Sequence, residues 1–292
     1  MATSDNIHVR CTVNPRLGRE WMYPMDKAVE SKEVVIVGGG PAGLAAATTA
    51  SLRGHNVTLY EKQEQLGGQL ILAASPPHKD ELRGLNEYMD IQARKAGVQV
   101  RLGDEVTAEK LSKLSADVVI LATGSKQIQP RIPGIESPNV EYAWDVLSGD
   151  TEVEETVVIV GGGMVGLETA EYLAIRGKKV KVIEMQSEAG KDMEPFSKIF
   201  LLERFQEMNV EVITDCFVNR ISEGVVEAIN ITWRRCLFPA DTVVIAVGAF
   251  ANKNLEATLS DLDAEVYTIG DCAEPSRILE AIRDGTRIAH SI

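Results

Sequence analysis

The sequence predicts an α/β protein with two domains of the same type, the second inserted in the first. Three observations lead to this prediction. The seven residues VVIVGGG occur twice, at Val34–Gly40 and at Val157–Gly163, 123 residues apart. When Val34–Lys62 is aligned with Val157–Met185, 14 of the 29 positions are identical, which indicates a duplicated supersecondary unit. Segments that would complete the first copy lie on both sides of the second.

Each copy of the repeat has the same predicted order of elements. A short β-branched run, Glu33–Val37 or Thr156–Val160, predicts a buried parallel strand. A glycine-rich turn and an Ala/Leu-rich helix follow, and an Arg-Gly pair ends the helix. A second strand, Asn56–Tyr60 or Val180–Ile183, leads to a glutamate 18 residues beyond the last glycine of the turn. Each copy therefore predicts a Rossmann-like, three-layer domain.

The glycines of each turn have the spacing that binding of a dinucleotide requires. The first permits a tight strand-to-helix turn, the second lets a pyrophosphate approach the backbone, and the third lets the helix pack closely on the strand. These glycines are Gly38, Gly40 and Gly43 in the first copy, and Gly161, Gly163 and Gly166 in the second. The helix N-terminus attracts phosphate, and Glu61 or Glu184 would accept hydrogen bonds from an adenosine ribose. The repeat thus predicts two bound dinucleotides.

The two copies differ after their glutamates. The first continues to LGGQL at Leu66–Leu70, whose glycine pair would allow a second close approach to a ligand longer than adenosine diphosphate. In the second copy no basic cluster follows Glu184. Because a carboxylate there would repel a 2′-phosphate, the second copy favours NADH over NADPH.

Later segments complete both predicted domains. The apolar runs Asp117–Gly124 and Asp241–Gly248 each predict a strand near a chain crossing between the domains. Tyr267–Asp271 predicts a strand followed by a glycine and an acid, and Ile278–His290 predicts a helix. Asp271 would bond a polyol hydroxyl, with a turn acid or helix cap as the alternative. The N-terminus of that helix would stabilise negative charge on a reduced flavin ring.

The predicted layout has an N-terminal arm at residues 1–22, a discontinuous first domain at 23–149 and 247–292, and an inserted second domain at 150–246. Trp21, Met22 and Tyr23 are apolar enough either to dock the arm or to belong to a core.

Composition argues against several classes of function. The net charge of −13 opposes non-specific binding to nucleic acid and to an anionic membrane. Met1–Arg10 lacks the apolar segment of a signal peptide, and no run reaches the ~18 apolar residues of a membrane span, so a cytoplasmic location is expected. The four cysteines include no CxxC pair, and the four histidines are scattered, so no dithiol centre and no catalytic side chain are expected.

Together these motifs resemble the flavoprotein family with two dinucleotide-binding domains that includes thioredoxin and ferredoxin reductases. A closer resemblance is to the C-terminal half of the 2,4-dienoyl-CoA reductase, 2-enoate reductase and trimethylamine dehydrogenase group. The LGGQL and ATG stretches, Met193–Pro195 and Ile269–Cys272 match that group, and so does CTVNPRLGRE at Cys11–Glu20.

The resemblance implies FAD in the first domain, NADH in the second, and hydride transfer from NADH to FAD without a side-chain nucleophile. The residues that would hold FAD are Gly38, Gly40, Pro41, Ala42, Gly43, Glu61, Lys62, Gly67, Gly68, Gln69, Val106, Ala122, Thr123, Gly124, Gly270 and Asp271. The residues that would hold NADH are Gly161, Gly163, Met164, Val165, Gly166, Glu168, Glu184 and Gly248. Of these, Val106 and Glu168 rest on position more than on a motif.

In the group that this chain resembles, an N-terminal TIM barrel carries FMN, the substrate pocket and most ligands of a [4Fe–4S] cluster. The last ligand of that cluster is the cysteine of a CxVNP stretch. The resemblance therefore implies that Cys11 is an orphan cluster ligand and that the chain is a fragment or subunit of a larger iron–sulfur flavoenzyme. The alternatives are an ordinary cysteine in an arm, and a stand-alone NADH:acceptor oxidoreductase. A further alternative is a non-redox module that binds ADP, as the corresponding domain of trimethylamine dehydrogenase does.

Overall fold

The computed structural model describes residues 10–256, 259 and 262–292 of the chain, which form two compact units. Of the described residues, the first unit contains those up to Ile71, Glu81–Lys126 and those from Phe250 onward. The second unit contains Leu72–Asp80 and Gln127–Ala249. The prediction of an α/β protein with two Rossmann-like domains, one inserted in the other, is confirmed.

The first unit is built on a five-stranded parallel sheet. Its strands are β1 (Glu33–Val37), β2 (Asn56–Tyr60), β3 (Gln99–Arg101), β4 (Val118–Leu121) and β15 (Glu265–Thr268). Their spatial order is β15-β4-β1-β2-β3. The chain therefore reverses direction across the sheet between β1 and β4, and ligands of such sheets bind at the carboxyl ends of the strands beside that reversal.

Helices cover the sheet of the first unit. They are α1 (Pro41–Leu52), α2 (Gln69–Ala73), α3 (Asp80–Ala96), α4 (Ala108–Leu111) and α8 (Ile278–Ser291). The first helix is rich in alanine because α8 packs very close to it: a β-carbon at Gly285 would lie 2.1 Å from the carbonyl oxygen of Ala42. Ile36, Leu59 and Ile120 are fully buried between the sheet and these helices.

The second unit repeats this sheet order. Its parallel strands are β6 (Val140–Tyr142), β7 (Thr156–Val160), β8 (Lys179–Ile183), β9 (Glu211–Ile213) and β13 (Thr242–Ile245). The order is β6-β13-β7-β8-β9, in which four strands match the first unit, while the edge strand β6 precedes β7 in the chain and its counterpart β15 follows β4.

Helices and a second sheet form the outer layers of this unit. The helices are α5 (Ala143–Ser148), α6 (Met164–Ala174) and α7 (Pro195–Glu207). The antiparallel sheet consists of β10 (Cys216–Ser222), β11 (Val225–Asn230) and β12 (Arg235–Pro239). Leu167 and Phe205 are buried on the helical side of the parallel sheet, and Val226 and Ala228 on the other side, so the unit has three layers. The short strands β5 (Ser125–Gln127) and β14 (Ala249–Ala251), where the chain passes between units, pair with each other.

The observed division of the chain differs from the predicted layout. Residues 127–149 lie in the second unit because β6 pairs with β13 and α5 packs beside α6, and Leu72–Asp80 also lies there. The predicted layout places both segments in the first domain. Trp21 in the arm is 80% exposed, whereas Tyr23, the first residue after the arm, has its ring centroid 5.2 Å from that of His290 on α8. Which cofactor each domain holds stays a prediction.

Candidate nucleotide-binding sites

Two glycines in each unit fix the turn from the first strand to the first helix. Gly38 and Gly161 have φ values of 111° and 110°, which favour glycine, and a β-carbon would lie 2.2 Å from Ala122 O or 2.3 Å from Ala246 O. The third glycine of each motif fits as tightly, since a β-carbon at Gly43 would lie 2.0 Å from Gly38 O. Gly166 meets Gly161 O at the same 2.0 Å. The turns are therefore locked by close backbone contact.

The middle glycine of the first motif faces open space. Gly40 is the N-cap residue of α1 and has no side chain to cover the helix start. A β-carbon at Gly40 would meet no atom of the described residues within 4 Å, its chain neighbours aside. Pro41 occupies the first turn, where its lack of an N–H costs nothing. Backbone N–H groups at a helix start, with space beside them, fit a pyrophosphate group. The first unit thus fits the dinucleotide that the sequence predicts.

The two predicted ribose acids are buried and bonded identically. Glu61, 6% exposed, accepts hydrogen bonds from Gly39 N–H at 2.7 Å and Gln63 N–H at 2.8 Å, one on each carboxylate oxygen. Glu184, 8% exposed, accepts from Gly162 N–H at 2.6 Å and Gln186 N–H at 2.7 Å. Each oxygen keeps a second lone pair, so both carboxylates are held in place and can still accept a hydroxyl.

The structural repeat extends beyond the aligned segments. Gly67 N–H donates to Gly39 O at 2.9 Å, and Gly190 N–H donates to Gly162 O at 2.7 Å. Gly67 and Gly190 are again 123 residues apart, so the LGGQL stretch of the first unit has a counterpart, AGKDM, in the second. Sequence reasoning missed this counterpart, although the shared Gln63/Gln186 and Gly67/Gly190 were a usable signal.

Several predicted FAD residues come together at the carboxyl end of β4. Gln69 Nε2 donates to Ser125 Oγ at 2.9 Å and to Asp271 Oδ2 at 3.3 Å, and Ser125 Oγ donates to the same Oδ2 at 3.1 Å. Asp271 Oδ1 accepts from Ser276 N–H at 3.0 Å. Sequence reasoning missed both serines. Asp271 is therefore an oriented carboxylate, and its role toward a cofactor stays a prediction.

The residues around this cluster are positioned by their backbones. Gly124 has φ 71° and Gly270 has φ 60°, where a β-carbon would lie 2.7 Å from that of Ala42. Thr123 Oγ1 donates to Asn252 O at 3.0 Å, and Gly270 N–H donates to Asp284 Oδ2 at 2.9 Å.

The remaining predicted residues differ in how they face a ligand. Val106, Ala122 and Ala42 have buried side chains, so backbone atoms are what they can offer. Lys62 is exposed beside Glu61, and Gly68 is the exposed middle residue of the LGGQL stretch, whose ends Leu66 and Leu70 are buried. In the second unit, Met164 and Val165 open α6 and are half-buried, and Gly248, with φ 109°, accepts a hydrogen bond from Ile128 N–H at 3.0 Å.

Glu168, the predicted NADH residue on α6, has a cationic partner. Lys79 Nζ lies 2.6 Å from Glu168 Oε1, and the Glu168 side chain is 11% exposed. Burial raises the pKa of the Glu168 carboxyl, Lys79 lowers that pKa, and the negative charges of Glu171 and Asp192 raise it. Lys79 is 89 residues from Glu168 along the chain, and no motif pointed to it.

The cysteines of this chain do not assemble a cluster site. A [4Fe–4S] cluster needs four thiolates. Cys216, Cys236 and Cys272 are free and are buried or half-buried inside their units, and Cys11 accepts a hydrogen bond from Asn14 N–H at 3.3 Å. Across the described ranges, no three His, Cys, Asp or Glu side chains are grouped so as to hold a metal ion. No helix within those ranges has the length and apolar character to cross a membrane.

The chain is similar to oxidoreductases along nearly all of its length. Residues 32–285 match the family described as pyridine nucleotide-disulphide oxidoreductase. The chain is 42% identical over 293 residues to an NADH oxidase of Thermoanaerobacter brockii, covering 98% of this chain and 45% of that protein. It is 38% identical over 276 residues to a bilirubin reductase of Mediterraneibacter gnavus, covering 94% and 43%. A solved 2-naphthoyl-CoA reductase complex matches with a TM-score of 0.93 and 34% identity, covering 97% of this chain and 43% of that chain.

Fold and comparisons together define an oxidoreductase module that binds FAD and NAD(H). The chain belongs to the pyridine nucleotide-disulphide oxidoreductase family. The resemblance drawn from its motifs is confirmed by relatives that include an NADH oxidase and a cinnamate reductase. The chain spans less than half the length of these relatives, 45% of the first and 43% of the second.

Proposed function

We propose that the first unit holds FAD, that the second holds NADH, and that the module takes electrons from NADH. The cofactors supply the redox chemistry, a hydride transfer from the nicotinamide to the flavin ring. The observation that carries the proposal is the pair of matching cradles, in which Glu61 bonds Gly39 and Glu184 bonds Gly162 in the same way. The work of the protein is to bind and orient the two nucleotides.

In the first unit, the chain would hold FAD at three points. The open start of α1 at Gly40 would take the pyrophosphate, and Glu61 would accept from the adenosine ribose. Asp271, oriented by Gln69 and Ser125, would accept from a hydroxyl of the ribityl chain. A ribityl chain is present in FAD and absent from ADP, so an acceptor for its hydroxyl supports FAD over ADP alone in this unit.

In the second unit, Glu184 would select NADH. Its carboxylate is fixed by Gly162 and Gln186, so it cannot turn away from a 2′-phosphate. The buried Glu168 on α6, paired with the half-buried Lys79, would contribute a hydrogen-bonding group near the nucleotide. We therefore expect NADPH to bind much more weakly than NADH.

The acceptor of the electrons is a second part of the proposal. The matched relatives are about twice as long as this chain, and their names give different substrates: an NADH oxidase, a bilirubin reductase and a 2-naphthoyl-CoA reductase. We propose that the module feeds a further domain or subunit, a barrel with FMN and a [4Fe–4S] cluster to which Cys11 contributes a ligand. This part of the proposal rests on the CxVNP stretch at Cys11.

Anaerobic titration tests the proposal. The purified chain is reconstituted with FAD and titrated with NADH while flavin absorbance at about 450 nm is followed. We expect the absorbance to fall in proportion to NADH, and to fall far less with NADPH. Bound FAD that NADH leaves oxidised, or a chain that retains ADP and excludes FAD, would favour the non-redox alternative. The reaction of the reduced module with dyes, quinones or oxygen is expected, and reduction of a 2-enoate by the module alone is not.

A further inference from the structure

A carboxylate of this chain occupies the N-terminus of α6. The N–H of Met164 donates to both carboxylate oxygens of Asp192, at 2.9 Å to Oδ1 and 3.0 Å to Oδ2. A β-carbon at Gly163 would lie 3.4 Å from Oδ2. Asp192 therefore covers the glycine and the N–H group that the dinucleotide motif offers to a pyrophosphate.

The first unit lacks this arrangement. Gly67 and Gly190 make the same backbone bond in the two units, and with the same offset of 123 residues the counterpart of Asp192 is Gln69. Gln69 turns its amide to Ser125 and Asp271 instead, and the space beside Gly40 stays open among the described residues. The two helix starts thus differ in two groups: α6 begins with Met164, whose N–H binds Asp192, whereas α1 begins with Pro41, which has no N–H, and Gln69 stands in place of the acid.

The Asp192 carboxylate and the pyrophosphate of a ligand would compete for the start of α6. A helix N-terminus attracts negative charge, so the Asp192 carboxylate is stabilised where it lies. A pyrophosphate would use the same N–H groups, and at contact distance it would be repelled by the carboxylate. The Asp192 side chain can rotate away from α6 without unfolding, because it is exposed. Its loop stays in place through other bonds: Gly190 N–H donates to Gly162 O, and Gln186 N–H donates to Glu184.

We infer that Asp192 is an internal anion that fills the pyrophosphate position of the second nucleotide site and that a nucleotide must displace. The inference rests on the proposed function in so far as the second unit binds a nucleotide. Asp192 sets the affinity of that site: it protects the helix start when no nucleotide is bound, and it weakens binding of any ligand that carries a pyrophosphate. Ligands without a pyrophosphate are unaffected.

Two variants test this role. Asp192→Asn keeps the size and an acceptor oxygen but removes the charge. Asp241→Asn is the matched control, because Asp241 Oδ2 also accepts a backbone N–H, from Thr156 at 2.9 Å, at the opposite end of β7. Calorimetry on the FAD-loaded chain at low ionic strength measures the affinity for ADP-ribose, which carries the pyrophosphate without a redox ring, and for adenosine, which lacks it.

We expect Asp192→Asn to bind ADP-ribose about 3- to 10-fold more tightly than the wild type, with little change for adenosine. The gain should shrink in high salt, and Asp241→Asn should show neither effect. An affinity of Asp192→Asn for ADP-ribose equal to or weaker than that of the wild type overturns the inference, and so does failure of both forms to bind ADP-ribose. If ADP-ribose binds as expected but NADH does not bleach the flavin, the proposed function fails and this inference stands.

Discussion

Lys79 donates a hydrogen bond of 2.6 Å to the buried carboxylate of Glu168. Replacing Lys79 by Met keeps much of the side-chain length but leaves the Glu168 carboxylate without this partner. We expect the free energy of unfolding of the second unit to fall by about 1–3 kcal/mol at pH 8, as measured by urea denaturation. The loss should be smaller at pH 5. Removing Lys79 raises the pKa of Glu168 further, and a carboxyl whose folded pKa is raised costs stability as pH rises through that pKa.

A surface pair provides the control for this prediction. Lys179 and Glu155 are also 2.6 Å apart, but their side chains are 74% and 67% exposed. The variant Lys179→Met should therefore change the unfolding free energy by less than about 0.5–1 kcal/mol. The double variant Lys79→Met/Glu168→Gln should regain most of the lost stability. Equal losses from the buried and exposed pairs would show that burial of Glu168 does not matter.

Two glycines of the first motif should separate folding from binding. Gly40→Ala adds a methyl group where no described atom lies within 4 Å, so the fold should persist, with a change in stability within about 0.5 kcal/mol. Its methyl group would stand in the way of a pyrophosphate, and we expect FAD affinity to fall by about 10-fold or more.

Gly43→Ala should instead damage the fold itself, because its β-carbon would lie 2.0 Å from Gly38 O. Thermal unfolding with and without FAD distinguishes the two outcomes. A Gly40→Ala chain that retains FAD as well as the wild type would argue against a pyrophosphate at α1.

Substitutions of Glu61 and Glu184, the two predicted ribose acids, should each affect the binding of a different cofactor. Each carboxylate uses both oxygens to accept a backbone N–H, and an amide has one oxygen, so Glu61→Gln and Glu184→Gln each leave one N–H poorly paired. We expect each variant to lose about 1–3 kcal/mol of stability. Glu61→Gln should release FAD more readily, and Glu184→Gln should weaken NADH binding. Flavin retention on gel filtration and calorimetry with NADH measure the two effects, and each variant is the control for the other.

His290 should make the first unit sensitive to acid. Burial, followed by the positive charges of Arg53 and Arg16, lowers the pKa of His290 to about 4. Between the unfolded-state value of about 6.5 and that folded value, the unfolded chain binds a proton that the folded chain does not, so stability falls as pH falls. His290→Phe should lose less stability than the wild type between pH 7 and pH 5, as thermal unfolding at both pH values would show. Part of the pH dependence of stability that remains in His290→Phe is attributed to His55, whose pKa is lowered by burial, Arg53 and Lys32.

Much of the fold is predictable from local patterns. The strands β1 and β7, the glycine turns and the acids Glu61 and Glu184 follow from residues close together in the chain, since strand period and turn chemistry act locally. The pairing of β6 with β13 joins residues about a hundred positions apart, and no local pattern signals it. The domain boundary near residue 126 is therefore missed, although the insertion itself is predicted.

The candidate sites divide in the same way. The motif glycines are predictable because their roles depend on the backbone of a single turn. Lys79 and Ser125 are not, because each meets its partner only after the chain has folded, 89 and 146 residues away from Glu168 and Asp271. Asp192 lies between these cases: continuing the alignment past Met185 brings it opposite Gln69, but it does not reveal that its side chain turns to α6.

The close crossing of α8 over α1 at Gly285 and Ala42 has a consequence for synthesis of the chain on the ribosome. The strand β15 and helix α8, which complete the first unit, are its last elements to be translated. All residues of the second unit precede them, so that unit can fold while β1 to β4 still lack an edge strand and a covering helix. The unit that begins first is finished last, and its sheet lacks this edge strand and this helix until α8 has been translated.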